Sequence, residues 1–238
     1  MSLIRFPKTP YVNGSFVRSR SDKIVSIQET NDLLEKNVLI QEKIDGSLVG
    51  FSFSKAGEPI IQNKNSQIDV NFNNFYKKLN DWHSLNESDL FKICEDRYVL
   101  FGEWMFWEHS VKYNNLPSYF ISFDIYDKNN NKFLSTKKQK EILKDTKIKS
   151  NPIIFEGRLE SADNLNNYKI KSQFGDNIME GIYLRVDDED YNLKRYKYVN
   201  KSFSERINEH WKKKLLKTNS SDNIYEKQWA YTTKFLNK

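Results

Sequence analysis

Cysteine is almost absent from this chain of 238 residues, which contains only Cys94. A single cysteine cannot form a disulfide within the chain, so a disulfide-stabilised scaffold is excluded and a reducing compartment, the cytoplasm, is expected. No run of about 18 apolar residues is present, and residues 1–6 lack the apolar region of a signal peptide. We therefore expect neither a membrane-spanning segment nor a signal peptide.

Histidine is scarce as well, with three in the chain. His83 and His109 have no second histidine or cysteine at the spacing of a zinc site, so the sequence does not predict zinc. The net charge of +6 is compatible with an anionic partner, although many proteins with such a charge bind none. Aromatic residues (16 Phe, 13 Tyr and 5 Trp) are numerous enough for the core of one large domain.

Two apolar segments, residues 38–40 and 49–53, flank Lys43 and predict two strands. Asp45 and Gly46 between them predict a hairpin, because glycine tolerates positive φ and aspartate bonds its own turn. Lys43 would then lie at the end of the first strand and face a cleft. Its amine could act as a nucleophile where its surroundings lower its pKa. Otherwise it is a surface lysine at a hairpin corner.

Two later segments predict buried strands that carry a polar or aromatic residue of interest. Residues 98–104 end in a Gly-Glu-Trp sequence that contains Glu103, and residues 119–127 contain Phe120 and Phe123. A carboxylate such as Glu103 accepts hydrogen bonds from hydroxyl groups, and the glycine before it lets a ligand approach the backbone. The phenylalanines are either core residues or a surface on which a planar group stacks.

Two further strands are predicted near residue 190. The first, residues 179–186, begins with Glu180, and the second, residues 193–199, contains Arg195 and Lys197. Side chains alternate along a strand, so Arg195 and Lys197 lie on one face. Both can bind phosphate, and the guanidinium does so with two parallel donors.

The sequence Lys-Ile-Asp-Gly-Ser-Leu at 43–48 resembles motif I of the covalent nucleotidyltransferases, which include ATP-dependent RNA and DNA ligases and mRNA capping enzymes. It is most similar to the RNA ligases of phages and bacteria, because DNA ligases usually carry arginine at the position of Leu48. The four later segments resemble motifs III, IIIa, IV and V in the same order. The resemblance therefore extends over residues 43–197.

This resemblance implies that Lys43 becomes linked to AMP through a phosphoramide bond. Asp45 belongs to the same motif and is expected to take part in catalysis, and the neighbouring Glu42 and Ile44 are expected to line the nucleotide site. Relatives usually place an arginine at the position of Lys64, which is expected to contact the nucleotide here with its charge but without a bidentate fork.

The later motifs imply the remaining nucleotide contacts. Glu103 would bind the ribose, and Phe123, or else Phe120, would stack on the purine. Glu180 would help to hold Mg²⁺, or Mn²⁺, which prefers oxygen ligands together with phosphate oxygens and water.

Arg195 and Lys197 are expected to contact the phosphates and to take part in catalysis, although Arg195 replaces the more usual lysine. Catalysis would then depend on in-line positioning and on the neutralisation of phosphate charge.

The expected fold is α+β, with antiparallel sheets that form a nucleotide cleft and helices outside them. Residues 1–200 would form the adenylation domain, and residues 201–238 a helical extension packed on it. The expected protein is a monomeric, ATP-dependent RNA ligase that joins RNA 5′-phosphate and 3′-hydroxyl ends. A DNA ligase, another polynucleotide nucleotidyltransferase and a non-catalytic nucleic-acid-binding relative remain alternatives.

Three other segments carry predictions of structure. Apolar residues recur at helical spacing over 71–82, and the tail predicts helices over 203–216 and 223–236. The lysines at 212–214 either contact the RNA backbone or form a solvated face of the first tail helix. The acidic run 187–190 is interpreted as a solvated turn, because contiguous acids cannot all converge on one ion.

Overall fold

The computed structural model describes residues 3–17, 22–69, 76–168, 170–201, 203 and 217–227. The strands in these residues are β1 (Val38–Glu42), β2 (Ser47–Phe53), β3 (Pro59–Gln62), β4 (Tyr98–Trp104), β5 (Phe120–Asp127), β6 (Lys132–Phe133), β7 (Lys149–Ser150), β8 (Ile153–Gly157), β9 (Gly181–Asp187) and β10 (Asn192–Val199). The helices are α1 (Ile27–Leu34), α2 (Lys77–Cys94), α3 (Thr136–Leu143) and a 3₁₀ helix (Ala162–Tyr168). Among the helices of this described part, none has the length and apolar character needed to cross a membrane.

The strands form two sheets in which nearly all pairs are antiparallel. The first sheet has the order β10-β9-β1-β8. The second has the order β3-β2-β4-β5-β6, and the short β7 pairs in parallel with β5. Helix α2 packs on β2 and β4 of the second sheet, and the first sheet has a core of its own. The predicted α+β fold with antiparallel sheets and external helices is therefore confirmed.

The helix ends reflect local sequence. The Ser26 and Ser135 hydroxyls accept hydrogen bonds from the backbone N–H groups of Glu29 and Lys138, at 3.0 and 3.2 Å, and so begin α1 and α3. The helix predicted over 71–82 is confirmed over 77–82, and α2 continues beyond the predicted end to Cys94. Residues 70–75 lie outside the described residues.

The hairpin predicted at Asp45 and Gly46 is wrong, because β1 and β2 belong to different sheets. β1 pairs with β8 and β9, and β2 pairs with β3 and β4, so each strand already has a neighbour on both sides. Residues 43–46 instead form a crossover from the first sheet to the second. Lys43 lies at the start of this crossover, directly after β1, as the sequence predicted.

Gly46 is the point at which the crossover passes closest to β4. A Cβ atom at this position would lie 2.6 Å from Met105 Sδ, 2.9 Å from the Trp104 carbonyl oxygen and 3.1 Å from Glu103 Cβ. Gly46 is not among the described glycines with positive φ. Close packing, and not an unusual backbone angle, therefore requires glycine here.

The predicted solvated turn is confirmed for residues 188–190, but it is wrong for Asp187, which is the last residue of β9 and whose carboxylate accepts hydrogen bonds from the Thr136 N–H and hydroxyl groups at 2.7 and 2.8 Å. Asp188 Oδ1 accepts hydrogen bonds from the backbone N–H groups of Asp190 and Tyr191, at 2.9 and 2.6 Å. Glu189 and Asp190 are exposed. Asp188 therefore stabilises the turn, whereas Asp187 joins β9 to the start of α3.

The two predicted tail helices lie mostly outside the described residues, which omit 204–216 and 228–238 and hence the lysines at 212–214. Within 217–227, residues 217–222 are not helical and residues 224–227 are helical. This segment packs against the loop formed by residues 105–119, which joins β4 to β5. The domain boundary near residue 200 stays a prediction.

Replacing Gly46 with alanine is expected to destabilise the protein by about 1–3 kcal/mol, because the added methyl group overlaps backbone atoms of β4 that cannot move independently. The free energy of unfolding in urea measures this effect. Lys55→Ala, a change at an exposed residue beyond β2, serves as the control. Equal stability of the Gly46→Ala variant and the wild type would contradict the close packing.

Candidate active site

Lys43 and Glu180 are brought together by the pairing of β1 with β9. The register places Glu42 opposite Ile182, and the Lys43 backbone N–H donates to the Gly181 carbonyl at 2.9 Å. Lys43 Nζ then lies 2.6 Å from Glu180 Oε2. The side chains are 16% and 2% exposed, respectively, so this ion pair is largely shielded from water.

The environment of Lys43 favours its ammonium form. Burial by itself would lower the pKa of Lys43, but the carboxylates of Glu180 and Asp45, together with Tyr183, outweigh burial and raise the pKa above its ordinary value. The amine must lose its proton to act as a nucleophile. Glu180 Oε2 is the hydrogen-bonded group that can accept this proton.

Glu103 enters the same site from the second sheet, because β4 pairs with β2 and places Glu103 opposite Leu48. Its Oε2 atom is buried and has no hydrogen-bond partner among the described residues. Burial raises the pKa of Glu103 to about 8, the negative charges of Asp45 and Glu180 add to this shift, and Lys43 opposes it. An unsatisfied buried oxygen of this kind is suited to a ligand hydroxyl group.

Asp45 is bound to the backbone of the 105–119 loop. Its Oδ2 atom accepts hydrogen bonds from the N–H groups of Ser110 and Val111, at 2.7 and 3.2 Å, and its own N–H donates to Tyr113 Oη at 2.8 Å. The structure thus places this predicted catalytic residue where it fixes the crossover beside Lys43.

The other two predicted motif I residues have buried side chains. Glu42 is fully buried, and its Oε2 atom accepts a hydrogen bond from the Gln173 N–H group at 2.7 Å. Ile44 belongs to the large core that also contains Val49. Both side chains therefore support the crossover from inside the protein.

Lys197 and Lys64 supply positive charge near Lys43. Lys197 Nζ lies 3.9 Å from the centroid of the Tyr11 ring. Burial, together with the positive charges of Lys43 and Lys64, lowers the pKa of Lys197 to about 8. Lys64 is exposed in the turn after β3, so both sheets contribute to this group of cations.

Arg195 lies in a different environment from Lys197, although both are on β10. Its Nη1 atom is hydrogen-bonded to Asp124, its Nε donates to Asn192 Oδ1 at 3.1 Å, and its guanidinium lies 4.0 Å from the Phe133 ring centroid. Its Nη2 atom is buried and has no hydrogen-bond partner among the described residues. The guanidinium thus shares Asp124 with Arg185, whose Nη1 lies 3.1 Å from Asp124 Oδ1, and keeps the Nη2 group for a ligand.

A pocket beside Lys43 contains this guanidinium. It is lined by Phe6, Thr9, Gln41, Phe123, Asp124, Tyr183, Arg185 and Arg195. The rings of Phe123 and Tyr183 are inclined by 23°, with centroids 6.4 Å apart. Phe120, the alternative stacking residue, is fully buried against Phe51 instead. The structure therefore brings Phe123, and not Phe120, to the pocket.

Several pocket residues were not predicted from the sequence. The sequence could have indicated Tyr183, because it lies on the same face of β9 as Gly181 and Arg185. Phe6 and Thr9 lie in the N-terminal segment, which meets β10 through a hydrogen bond from the Lys197 N–H group to the Pro10 carbonyl. Nothing in the local sequence indicates that contact.

Within the described ranges, no group of three or more His, Cys, Asp or Glu side chains is arranged to hold a metal ion. Glu180 and Glu103 are nevertheless two carboxylates near Lys43, since both contribute to the charge environment there. One or two carboxylates that act together with substrate phosphates are typical of Mg²⁺ sites. The residues therefore fit an ion that binds together with a phosphorylated ligand.

Solved structures of an RNA ligase from Naegleria gruberi are similar to this one. A mutant with ATP and Mn is 15% identical over 87% of this chain and 63% of that chain, with a TM-score of 0.59. The form with PPi is 18% identical over 87% and 64%, with a TM-score of 0.60. A mutant with AMP and Mn is 16% identical over 84% and 62%, with a TM-score of 0.59. The present chain thus spans less than two thirds of those chains, and the likeness establishes a shared fold.

Comparison with curated proteins gives no match. The sequence model of the RNA ligase family, in contrast, matches residues 36–199. That match covers every strand from β1 to β10 and every site residue predicted from the sequence. The narrower assignment to the phage and bacterial group stays a prediction. Because the match extends over well more than half of its length, the chain belongs to the RNA ligase family.

Proposed function

We propose that this chain is an ATP-dependent RNA ligase that joins RNA 5′-phosphate and 3′-hydroxyl ends through a lysyl-AMP intermediate. The observation that carries this proposal is the shielded Lys43 amine at the crossover between two sheets, 2.6 Å from the Glu180 carboxylate. The N. gruberi relatives were solved with ATP, AMP or PPi, which are the substrate and the parts released from it in adenylate transfer.

The reaction consists of three phosphoryl-type transfers. Lys43 Nζ attacks the α-phosphorus of ATP, the bond to the bridging oxygen breaks, and pyrophosphate leaves. An RNA 5′-phosphate oxygen then attacks the same phosphorus and releases the lysine. In the last step a 3′-hydroxyl attacks the 5′-phosphorus of the adenylated RNA, and AMP leaves with the electrons of the broken bond.

The residues at the site match the needs of the first transfer. Glu180 can accept the proton that Lys43 must lose, and Lys197 with Lys64 can hold the phosphates in line with the amine. Glu103 has a free buried oxygen for a ribose hydroxyl. Most of the catalytic effect would come from positioning and charge, since phosphoryl transfer requires little acid–base chemistry.

Mg²⁺ or Mn²⁺ would be held by Glu180 together with phosphate oxygens. When bound, such an ion neutralises charge that develops on the phosphates. The N. gruberi relatives were solved with Mn, which supports this assignment.

The purine would lie between Phe123 and Tyr183. A planar ring between them needs a face-to-face separation of roughly 7 Å, two carbon contacts of about 3.5 Å each, so the two rings, whose centroids are now 6.4 Å apart, must move apart to admit it. Gln41 donates from Nε2 to the Asn151 carbonyl at 2.8 Å, which leaves its Oε1 as an acceptor at the pocket. Arg195 Nη2 supplies a donor. We infer that Arg195 reads the purine and not the phosphates.

RNA as the joined nucleic acid, a monomeric state and a cytoplasmic location are parts of this proposal. Incubation of the protein with labelled ATP and Mg²⁺, followed by matched RNA and DNA ends, tests the first of them. Sealing of DNA ends alone would indicate a DNA ligase, and failure of the wild type to become labelled would indicate a non-catalytic relative.

Lys43→Ala and Lys43→Arg are both expected to lose covalent labelling by ATP, because neither side chain can supply a neutral amine. Transfer of label from [α-³²P]ATP to the protein measures this step. Lys36→Ala, at an exposed lysine just before β1, should label as the wild type does. A covalent AMP adduct on Lys43→Ala would show that another residue is the nucleophile.

Glu180→Gln is expected to slow lysyl-AMP formation by about 10- to 100-fold, because a charged hydrogen bond to Lys43 is lost. The concentration of Mg²⁺ at half-maximal rate should rise as well. Glu189→Gln, an exposed carboxylate in the β9–β10 turn, is the matched control. An unchanged dependence on Mg²⁺ in Glu180→Gln would exclude the metal role.

Arg195→Lys keeps a charge for Asp124 but removes Nη2, and we expect KM for ATP to rise about tenfold while the maximal labelling rate changes little. ATP analogues that replace N1, N3 or N7 by a C–H group identify the contact. One of them should bind the wild type about tenfold less tightly than ATP does, and should lose this disadvantage in Arg195→Lys. If Arg195 contacts the phosphates instead, Arg195→Lys should lose the same factor in labelling rate with ATP and with each analogue.

A further inference from the structure

Two of the segments that bind the 105–119 loop matter for Lys43, and residues 174–177 bind the loop as well. On one side, its residues Ser110, Val111 and Tyr113 bind the backbone and carboxylate of Asp45 in the crossover. On the other side, it is bound by the C-terminal segment 217–227. The loop contains no regular strand or helix of its own, so hydrogen bonds to other segments and the burial of side chains such as Phe106 and Val111 hold its shape.

Asn219 is the central residue of the contact between the C-terminal segment and the loop, and it is 2% exposed. Its Nδ2 donates to the carbonyls of Met105 and Trp107, at 2.7 and 3.3 Å. Its Oδ1 accepts from the Tyr113 N–H group at 2.9 Å, and its backbone N–H donates to the Phe106 carbonyl at 3.0 Å. The side-chain amide thus holds both ends of residues 105–113.

Tyr113 connects the two contacts directly. Its backbone N–H is bound by Asn219, and its hydroxyl oxygen accepts the hydrogen bond from the Asp45 N–H group. Burial raises the pKa of Tyr113 well above its ordinary value, so the hydroxyl stays protonated. Asp45 is two residues from Lys43, so two hydrogen bonds linked by the Tyr113 side chain connect Asn219 to the backbone beside the nucleophile.

We propose that Asn219 is a positioning residue for Lys43, which acts through the 105–113 part of the loop and Asp45. The inference rests on the proposed function, because Lys43 is the nucleophile there. Asn219 lies outside residues 36–199, which the family model matches, so this support comes from a part of the chain beyond the shared motifs.

Glu226 provides a matched control in the same segment. It is 3% exposed, and it accepts hydrogen bonds from Trp82, Ser118 and Tyr119 at 2.7–3.1 Å. These partners lie in α2 and at the β5 end of the loop, and none of them is among the loop residues that bind Asp45. Glu226→Gln should therefore weaken the attachment of the segment without moving the crossover.

The first test compares Asn219→Ala with Glu226→Gln in single-turnover labelling by ATP, well below the thermal midpoint of each variant. Both variants should have lower thermal midpoints. Only Asn219→Ala should slow lysyl-AMP formation, by about 10- to 100-fold with little change in KM, because small misplacement of a nucleophile costs rate and not binding. Sealing of RNA that already carries AMP needs no lysine nucleophile and should be affected much less.

A double-mutant cycle tests the connection through Tyr113. Tyr113→Phe removes the acceptor for the Asp45 N–H group and should slow labelling as Asn219→Ala does. If both act through the same contact, the double variant should be no slower than about the slower single variant. If the rate reductions of the two single variants multiply in the double variant, the proposed connection is wrong. Equal labelling rates in Asn219→Ala and Glu226→Gln would also overturn it.

A third measurement does not require activity. Amide hydrogen exchange at Ser110 and Val111, whose N–H groups bind Asp45, should become at least about tenfold faster in Asn219→Ala and stay unchanged in Glu226→Gln. Unchanged exchange in Asn219→Ala would refute the inference even in a chain that labels normally. If ATP does not label the wild-type protein, the proposed function is refuted. The role of Asn219 is then still tested, because hydrogen exchange at Ser110 and Val111 does not require activity.

Discussion

The ion pair between Lys43 and Glu180 depends on the antiparallel pairing of β1 with β9, and the rest of the site depends on that pairing. It joins residues 137 positions apart in the sequence and leaves 2.6 Å between Nζ and Oε2. A buried ammonium is costly unless a carboxylate compensates it. The same contact that makes burial of Lys43 tolerable also supplies the group that can take its proton.

The crossover after β1 gives the site access to both sheets. Glu180 and Lys197 come from the first sheet, and Glu103 and Lys64 from the second or the turn beside it. A hairpin would have kept Lys43 within one sheet. The two-sheet arrangement brings carboxylates from both sheets, together with the cations Lys197 and Lys64, around the Lys43 amine.

Sequence reasoning was accurate where the signal was local. Apolar segments of the sequence predicted β4, β5, β9 and β10. The prediction of a hairpin at Asp45 and Gly46 was wrong, because this pair of residues, which is typical of turns, lies in the crossover between the two sheets. A dipeptide specifies which backbone angles are easy to adopt, but it does not specify which strand becomes the neighbour.

The sequence alone determined the order of the motif residues, the strand after which Lys43 lies and the types of side chain available for nucleotide chemistry. Only the tertiary structure decided that Asp124 pairs with Arg195, that Tyr183 faces Phe123, and that Asn219 supports the loop bound to Asp45. The physical reason is distance along the chain. Propensity and periodicity act within a few residues, whereas these contacts join segments about 60 to 106 residues apart, whose meeting depends on the whole fold.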